Sequence, residues 1–382
     1  MSNTISPHPD SPSQTPEVPF AANDVRLSPR AWAVAGLLLV GALWAIPAAW
    51  QRIEPLEIGP DYRVPYSLGG DYWNYERVCR EVGRTESVLL VGDSVIWGHY
   101  VGSDETLSHY LNELAQEERF ANLGIDGIHP VALHGLIEYY GGAIRGKRVL
   151  VNANLLWMSS PRRDLSAAKE SPFNHPALVP QFDGRLRCYR ATTSERLGHV
   201  VGRHVGFLGW ADHLRIAYFQ GEDLATWTTE HPYEYPVDAV TFQLPSPDEP
   251  PQPVPDARSW TEKHLRQINP EWVALDDSLQ WEFFRRTICL LRQRGNRVFV
   301  LVGPLNEHML SEQGLQGYTK RKEAVAAWLA DEGFSHSVLP PLPSDAYADL
   351  SHPTDDGYRL LAEELTEQEA FQAFQSGTEE DP

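Results

Sequence analysis

The sequence predicts an α/β protein, a sandwich built on a parallel sheet and preceded by one membrane-spanning helix. Three observations carry this expectation. Residues 87–91 (SVLLV), 149–152 (VLVN) and 298–302 (VFVLV) are short apolar runs. Runs of that kind suit strands buried on both faces. Segments of helical period lie near 104–118, 274–294, 316–332 and 355–374. Strands separated by helices imply parallel crossovers. Residues 31–50 (AWAVAGLLLVGALWAIPAAW) carry no charge, and 20 residues at 1.5 Å each span about 30 Å, the thickness of a bilayer's hydrocarbon core.

Taken in chain order, residues 1–25 are polar and hold five prolines and four serines, so they read as a disordered tail. In the apolar segment, Trp32, Trp44 and Trp50 sit nearer the ends than the middle, where amphipathic rings prefer the interface. Pro47 falls near the end, where a kink costs least. The long polar leader favours an uncleaved anchor over a signal peptide. Arg26 and Arg30 precede the segment, whereas Arg52 follows it with Glu54 and Glu57. That balance leans toward an N-terminus inside and a single-pass protein whose main domain is extracytoplasmic. Residues 51–86 read as an irregular lead-in, 87–375 as the α/β domain, and 376–382 as an acidic tail. Residues 160–270 break the alternation and include a stiff stretch with Pro245, Pro247, Pro250, Pro251, Pro253 and Pro255. They read as an insertion capping one end of the sheet.

The 382 residues are 42% hydrophobic and 22% charged, ordinary globular values. Lys and Arg number 32 against 52 Asp and Glu, a net charge of −20. Such a chain repels phosphate backbones, which excludes nucleic-acid binding as its main task. Cys79, Cys188 and Cys289 are scattered, with no zinc spacing and at most one disulfide. The pairs His129/His134 and His199/His204 are five residues apart, wrong for one metal-binding helix face. No metal and no cofactor is expected. The Trp- and Tyr-rich stretch 210–235 reads as packing of the insertion, with stacking on sugar rings as the alternative.

Chemistry is concentrated where strands end. The first strand runs into Gly92-Asp93-Ser94, and a serine there lies at the carboxyl edge of the sheet, where open α/β folds bind ligands. Ser94 reads either as a nucleophile in the positive field of a helix start or as a plain N-cap. Near the other end, Asp349 and His352 are three apart on a turn, so the carboxylate can fix the imidazole tautomer and leave the other nitrogen to take a serine proton. Gly124, in Asn122-Leu123-Gly124-Ile125-Asp126-Gly127, can turn its N–H to an oxyanion, and so can an asparagine amide from Asn152-Ala153-Asn154. Asn306, in Gly303-Pro304-Leu305-Asn306, ends another strand at the same edge and is a candidate for substrate contact, with Asp93 and Asn152.

In that order the four segments resemble the SGNH (GDSL-type) hydrolase family. Gly92, Asp93, Ser94 and Gly98 match its GDSxxxG block, Asn122, Gly124 and Gly127 its NxGxxG block, and Asp349, His352 and Pro353 its DxxHP block. The third block, usually GxND, is reduced to Asn154, with Asn152 as substitute. The resemblance covers about 86–158 and 296–366. It implies a three-layer α/β/α sandwich of flavodoxin-like type. It also implies Ser94 as nucleophile, His352 as general base and Asp349 as its orienting partner, with an oxyanion hole from Ser94, Gly124 and Asn154.

A membrane anchor joined to such a domain also resembles exported enzymes that edit acyl groups on polysaccharides or wall polymers, some of which work beside a multi-spanning acyltransferase. The expected function is therefore a membrane-anchored serine esterase acting on O-acyl, acetyl-like groups of an acylated carbohydrate or small ester. The alternatives are an O-acyltransferase using the same residues and a non-catalytic glycan-binding or assembly protein.

Overall fold

A computed structural model describes residues 28–170 and 174–376. The polar tail expected over 1–25, and all but the first residue of the acidic tail expected over 376–382, lie outside the described residues. The chain divides into two units, Met1–Ile46 and Pro47–Pro382. The first contains most of α1 (Pro29–Ile53), a helix long and apolar enough to cross a membrane, with Leu37, Leu38 and Trp44 exposed.

The second unit is built on a parallel sheet of β1 (Val88–Val91), β2 (Phe120–Asn122), β3 (Arg148–Ala153), β4 (Arg297–Val302) and β5 (Ser335–Val338), in the order β2-β1-β3-β4-β5. Between the strands run α3 (Ser94–Trp97), α4 (Leu107–Ala115), α5 (Pro130–Tyr139), α10 (Leu279–Gln293) and α11 (Glu312–Asp331). Alternate residues feed two apolar clusters. Leu89 and Val91 join one, and Val88 and Leu90 the other, so β1 is buried on both faces as its unbroken apolar run requires. The three predicted strands form within one residue of their expected ends. The edge strand β5, Ser-His-Ser-Val, lacks an apolar run and was not located from sequence.

Three segments differ from expectation. The lead-in is not irregular throughout: α2 (Tyr72–Val82) starts at Asp71, whose carboxylate accepts the Asn74 N–H at 2.9 Å. It buries Tyr75, Val78, Cys79 and Val82 at helical spacing. The insertion is not irregular throughout but carries helices of its own. Within it run α6 (Thr193–His204), α7 (Gly206–Tyr218), α8 (Leu224–Glu230) and α9 (Pro236–Ala239), and α7 packs against α2. Its return limb brings the Trp260 N–H to the Tyr347 carbonyl at 2.8 Å. The final helix is two, α12 (Asp355–Glu367) and α13 (Glu369–Ser376), because Gln368 is extended at φ −74, ψ 124. The break turns Phe371 and Phe374 onto Phe299 of β4. Arg119, Arg148 and Arg297 donate to the carbonyls of Gln375, Gln375 and Ala373, capping the end of α13 with cations. All three cysteines are free.

Between α2 and α7 lies a buried, charge-balanced cluster. The His213 ring bonds Asp71 Oδ2 at 2.6 Å and Glu54 Oε1 at 2.9 Å, so both ring nitrogens donate and the ring is an imidazolium. Glu54 also accepts from Arg77 and from the Tyr218 hydroxyl. Trp50, at the end of α1, lies in the same unit and packs on Trp210, Tyr218 and Phe242. Burial alone would lower the His213 pKa, but its bonds to Asp71 and Glu54 outweigh it and hold the pKa at about 9. Burial would raise that of Glu54, but His213, Tyr218 and Arg77 lower it to about 2.

The stability from His213 is therefore complete below 6.5 and is lost as pH rises through about 9; that from Glu54 is complete above 4.5 and lost as pH falls through about 2. Replacing His213 with Gln leaves two buried carboxylates against one guanidinium, and we expect a loss of about 3–5 kcal/mol in denaturant unfolding at pH 6. The gap to the parent should narrow by pH 10.

Candidate active site

The loop after β1 is shaped by contact before chemistry. A Cβ on Gly92 would lie 2.5 Å from Ile96 Cγ1 and 3.1 Å from Asn152 Cβ, so only glycine lets the chain turn there. Asp93 then caps α3 (Ser94–Trp97), its Oδ1 accepting the Val95 N–H at 3.0 Å. Its Oδ2 accepts from the Asn154 amide at 2.8 Å and from Trp157 Nε1 at 2.7 Å. Asp93 is thus not a free substrate ligand but a buried carboxylate joining the loops after β1 and β3. Burial raises its pKa against the pull of these donors.

Ser94 is the first residue of α3, so its N–H has no partner within the helix. Its Oγ lies 2.8 Å from His352 Nε2. His352 Nδ1 lies 2.8 Å and 2.9 Å from the two Asp349 oxygens. A carboxylate only accepts, so Nδ1 carries the proton and Nε2 accepts from the serine. Asp349 Oδ1 also accepts the N–H groups of Ser351 (2.9 Å) and His352 (3.0 Å), and Oδ2 accepts from the Tyr100 hydroxyl at 3.1 Å. Burial would lower the His352 pKa, but the Asp349 charge and bond outweigh it and raise it above 6.5. Burial would raise that of Asp349, but His352 and the loop N–H groups drive it far below the usual carboxylate range.

The DxxH turn is fixed from beneath. The Asn306 N–H donates to the Leu350 carbonyl at 2.8 Å and its amide to the Asp349 carbonyl at 3.1 Å. Asn306 is fully buried, so it supports the turn and does not reach the cleft. Thr354 caps α12, and Tyr358 of that helix donates to the Val95 carbonyl at 2.7 Å, tying the histidine's loop to the serine's helix.

Of the other two expected oxyanion donors, Gly124 is engaged and Asn154 is engaged in part. The Gly124 N–H donates to Asn122 Oδ1 at 2.9 Å, and Asn122 Nδ2 donates to the Ile96 carbonyl at 2.7 Å. A Cβ on Gly124 would sit 2.5 Å from the Trp97 nitrogen, which explains the glycine. The Asn154 Oδ1 accepts the Leu156 N–H at 3.0 Å, and one of its two amide hydrogens goes to Asp93, leaving the other. Asn152 cannot substitute for it, because its amide braces the Leu301 and Gly303 carbonyls of β4 and the turn after it.

Sequence reading missed Tyr100, Trp157 and the pair His99–Asp126. His99 Nδ1 lies 2.7 Å from Asp126 Oδ1, and the His99 ring stands 5.3 Å from that of His352. The adjacency of His99 and Tyr100 to Gly98 was the available signal; nothing marked Trp157.

The fold and these residues define an α/β protein with a hydrogen-bonded Ser–His–Asp constellation at the carboxyl edge of its sheet. No protein-family model matches the chain, and no curated protein does either.

The pKa directions fix the sign of a pH dependence. Labelling of Ser94 by a fluorophosphonate needs neutral His352, so its rate should rise with pH through a midpoint above 6.5. In Asp349→Asn the counter-charge is gone and burial dominates. The midpoint should fall below 6.5 while the plateau rate drops; an unchanged midpoint would sink the assignment.

Proposed function

We propose that the chain is an SGNH (GDSL-type) serine ester hydrolase, a three-layer α/β/α sandwich anchored in a membrane by α1 as a single-pass protein with its catalytic domain extracytoplasmic. The observation that carries the reading is the unbroken line Ser94 Oγ, His352 Nε2, His352 Nδ1, Asp349. A serine hydroxyl is a weak nucleophile until a positioned base takes its proton. Here the proton passes from Oγ to Nε2 as Oγ attacks the acyl carbonyl carbon. The oxyanion so formed is received by the Ser94 N–H and the spare amide hydrogen of Asn154, and the Gly124 N–H joins them as it turns from Asn122 Oδ1. Collapse breaks the bond to the alcohol, which takes the proton back from Nε2. Water then repeats the sequence on the acyl-enzyme.

The substrate class is an O-acylated carbohydrate or small ester with a short acyl group. An O-acyltransferase uses the same residues and differs only in the group that takes the acyl chain. The partly exposed His99 beside the triad favours this second reading, in which a multi-spanning acyltransferase is a candidate partner.

Turnover of p-nitrophenyl acetate by the full chain in detergent tests the proposal. Ser94→Ala and His352→Ala should each lower kcat/KM by about 10³-fold or more, and Asn154→Ala should lower kcat by about 10²–10³-fold. Equal turnover in Ser94→Ala and parent would reject it.

A further inference from the structure

Beside the triad stands a second imidazole–carboxylate pair that the reaction above does not use. His99 Nδ1 lies 2.7 Å from Asp126 Oδ1. The carboxylate only accepts, so Nδ1 donates to it and Nε2 is the ring nitrogen left for a ligand. Among the described residues Nε2 has no hydrogen-bond partner, and the side chain is 26% exposed. The His99 and His352 rings are 5.3 Å apart and inclined at 34°. Each has its Nδ1 held by a carboxylate. Once Ser94 is acylated and the first alcohol has left, His352 Nε2 is a free acceptor with the His99 ring beside it.

The pair is built rather than incidental. Gly98 adopts φ 90, closed to other residues without strain, and turns the chain so that the His99 N–H bonds the Ser94 carbonyl at 3.2 Å. His99 is therefore fixed to the nucleophile's own helix. Asp126 is fixed from the other side. The Asn174 amide donates to the Gly127 carbonyl beside it at 3.2 Å, and Tyr72 holds the next residue, His175, through a 3.0 Å bond to Nδ1. Asn174 and His175 come from the insertion and Tyr72 from α2, so two remote segments converge on the loop that carries Asp126.

We propose that His99 receives the alcohol side of the substrate, accepting a hydrogen bond from the hydroxyl next to the one that is acylated or deacylated. The site would then select vicinal diols, the hydroxyl pattern of saccharides, over simple alcohols. This rests on the serine-esterase reading and names the substrate class of the same site. In transfer, the acceptor oxygen forms the new bond to the acyl carbon as the bond to Ser94 Oγ breaks. The acceptor's proton goes to His352 Nε2 and then to Oγ. His99 takes no proton; its bond to the neighbouring hydroxyl orients the acceptor.

The test is the partition of the acyl-enzyme. The full chain in detergent is given p-nitrophenyl acetate with equal concentrations of cis-1,2-cyclohexanediol or cyclohexanol. Nitrophenol release and acetylated alcohol are measured in the same reaction. The parent should transfer to the diol about five- to tenfold better than to cyclohexanol, the worth of one hydrogen bond and more than the factor of two from having two hydroxyls. His99→Phe, which keeps ring volume, should bring that ratio, taken per nitrophenol released, to about two or below. His99→Gln, which keeps an acceptor oxygen, should retain part of the preference. A parent that releases nitrophenol without preferring the diol, or a His99→Phe protein that keeps the preference, overturns the inference and leaves the esterase reading standing. Serine-independent nitrophenol release, or none, overturns both.

Discussion

One buried carboxylate organises the site. Asp93 accepts from the backbone at the start of α3, from the Asn154 amide and from the Trp157 indole. A carboxylate so enclosed is costly unless its lone pairs are used, and here donors from two loops use them. The consequence is geometric: the nucleophile's helix and the asparagine that faces it cannot move independently. Glycine at 92 and 124 belongs to the same constraint, since both positions lie against α3 too closely for a Cβ.

The parts of the site legible in the sequence are those whose chemistry is local. Asp349 and His352 are three residues apart and bond within one turn, so their spacing alone announces the contact. The serine after an apolar run likewise announces a strand end. Other contacts are written in no short window. Tyr100 meets Asp349 across 249 residues, and Trp157 meets Asp93 across 64. The fold divides in the same way. The buried strands β1, β3 and β4 are apolar throughout and could be read, whereas β5 is a polar edge strand without such a signal. In α2 the buried positions do follow a helical period, but tyrosine, asparagine and arginine among them mask it. Asn306 reads as a pocket residue from its place after a strand, yet its burial makes it the foundation of the histidine's turn.

The cluster of Glu54, Asp71, Arg77 and His213 answers a different demand. It joins the residue just past α1 to α2 and α7 by charge-assisted bonds with two positive and two negative groups. Removing charges from water is repaid only when every partner is present. Such a joint forms completely or fails, which suits a place where an insertion must seat against the lead-in in one register. Its balance also explains how Glu54 and Asp71 are kept buried.

The order of the strands has a consequence for biosynthesis. The serine follows the second strand in from one edge, at the start of α3, and its base arrives 258 residues later, on a loop leading into the last pair of helices. Chains emerge from the ribosome N-terminus first. Throughout most of its synthesis the polypeptide therefore carries an inert hydroxyl, and the reactive centre comes into being only when nearly the whole chain has been made. The arginines at the bases of β3 and β4 wait even longer for the carbonyls of α13. Truncation near the C-terminus would thus strike the first-made strands by withdrawing the last-made piece that seals them.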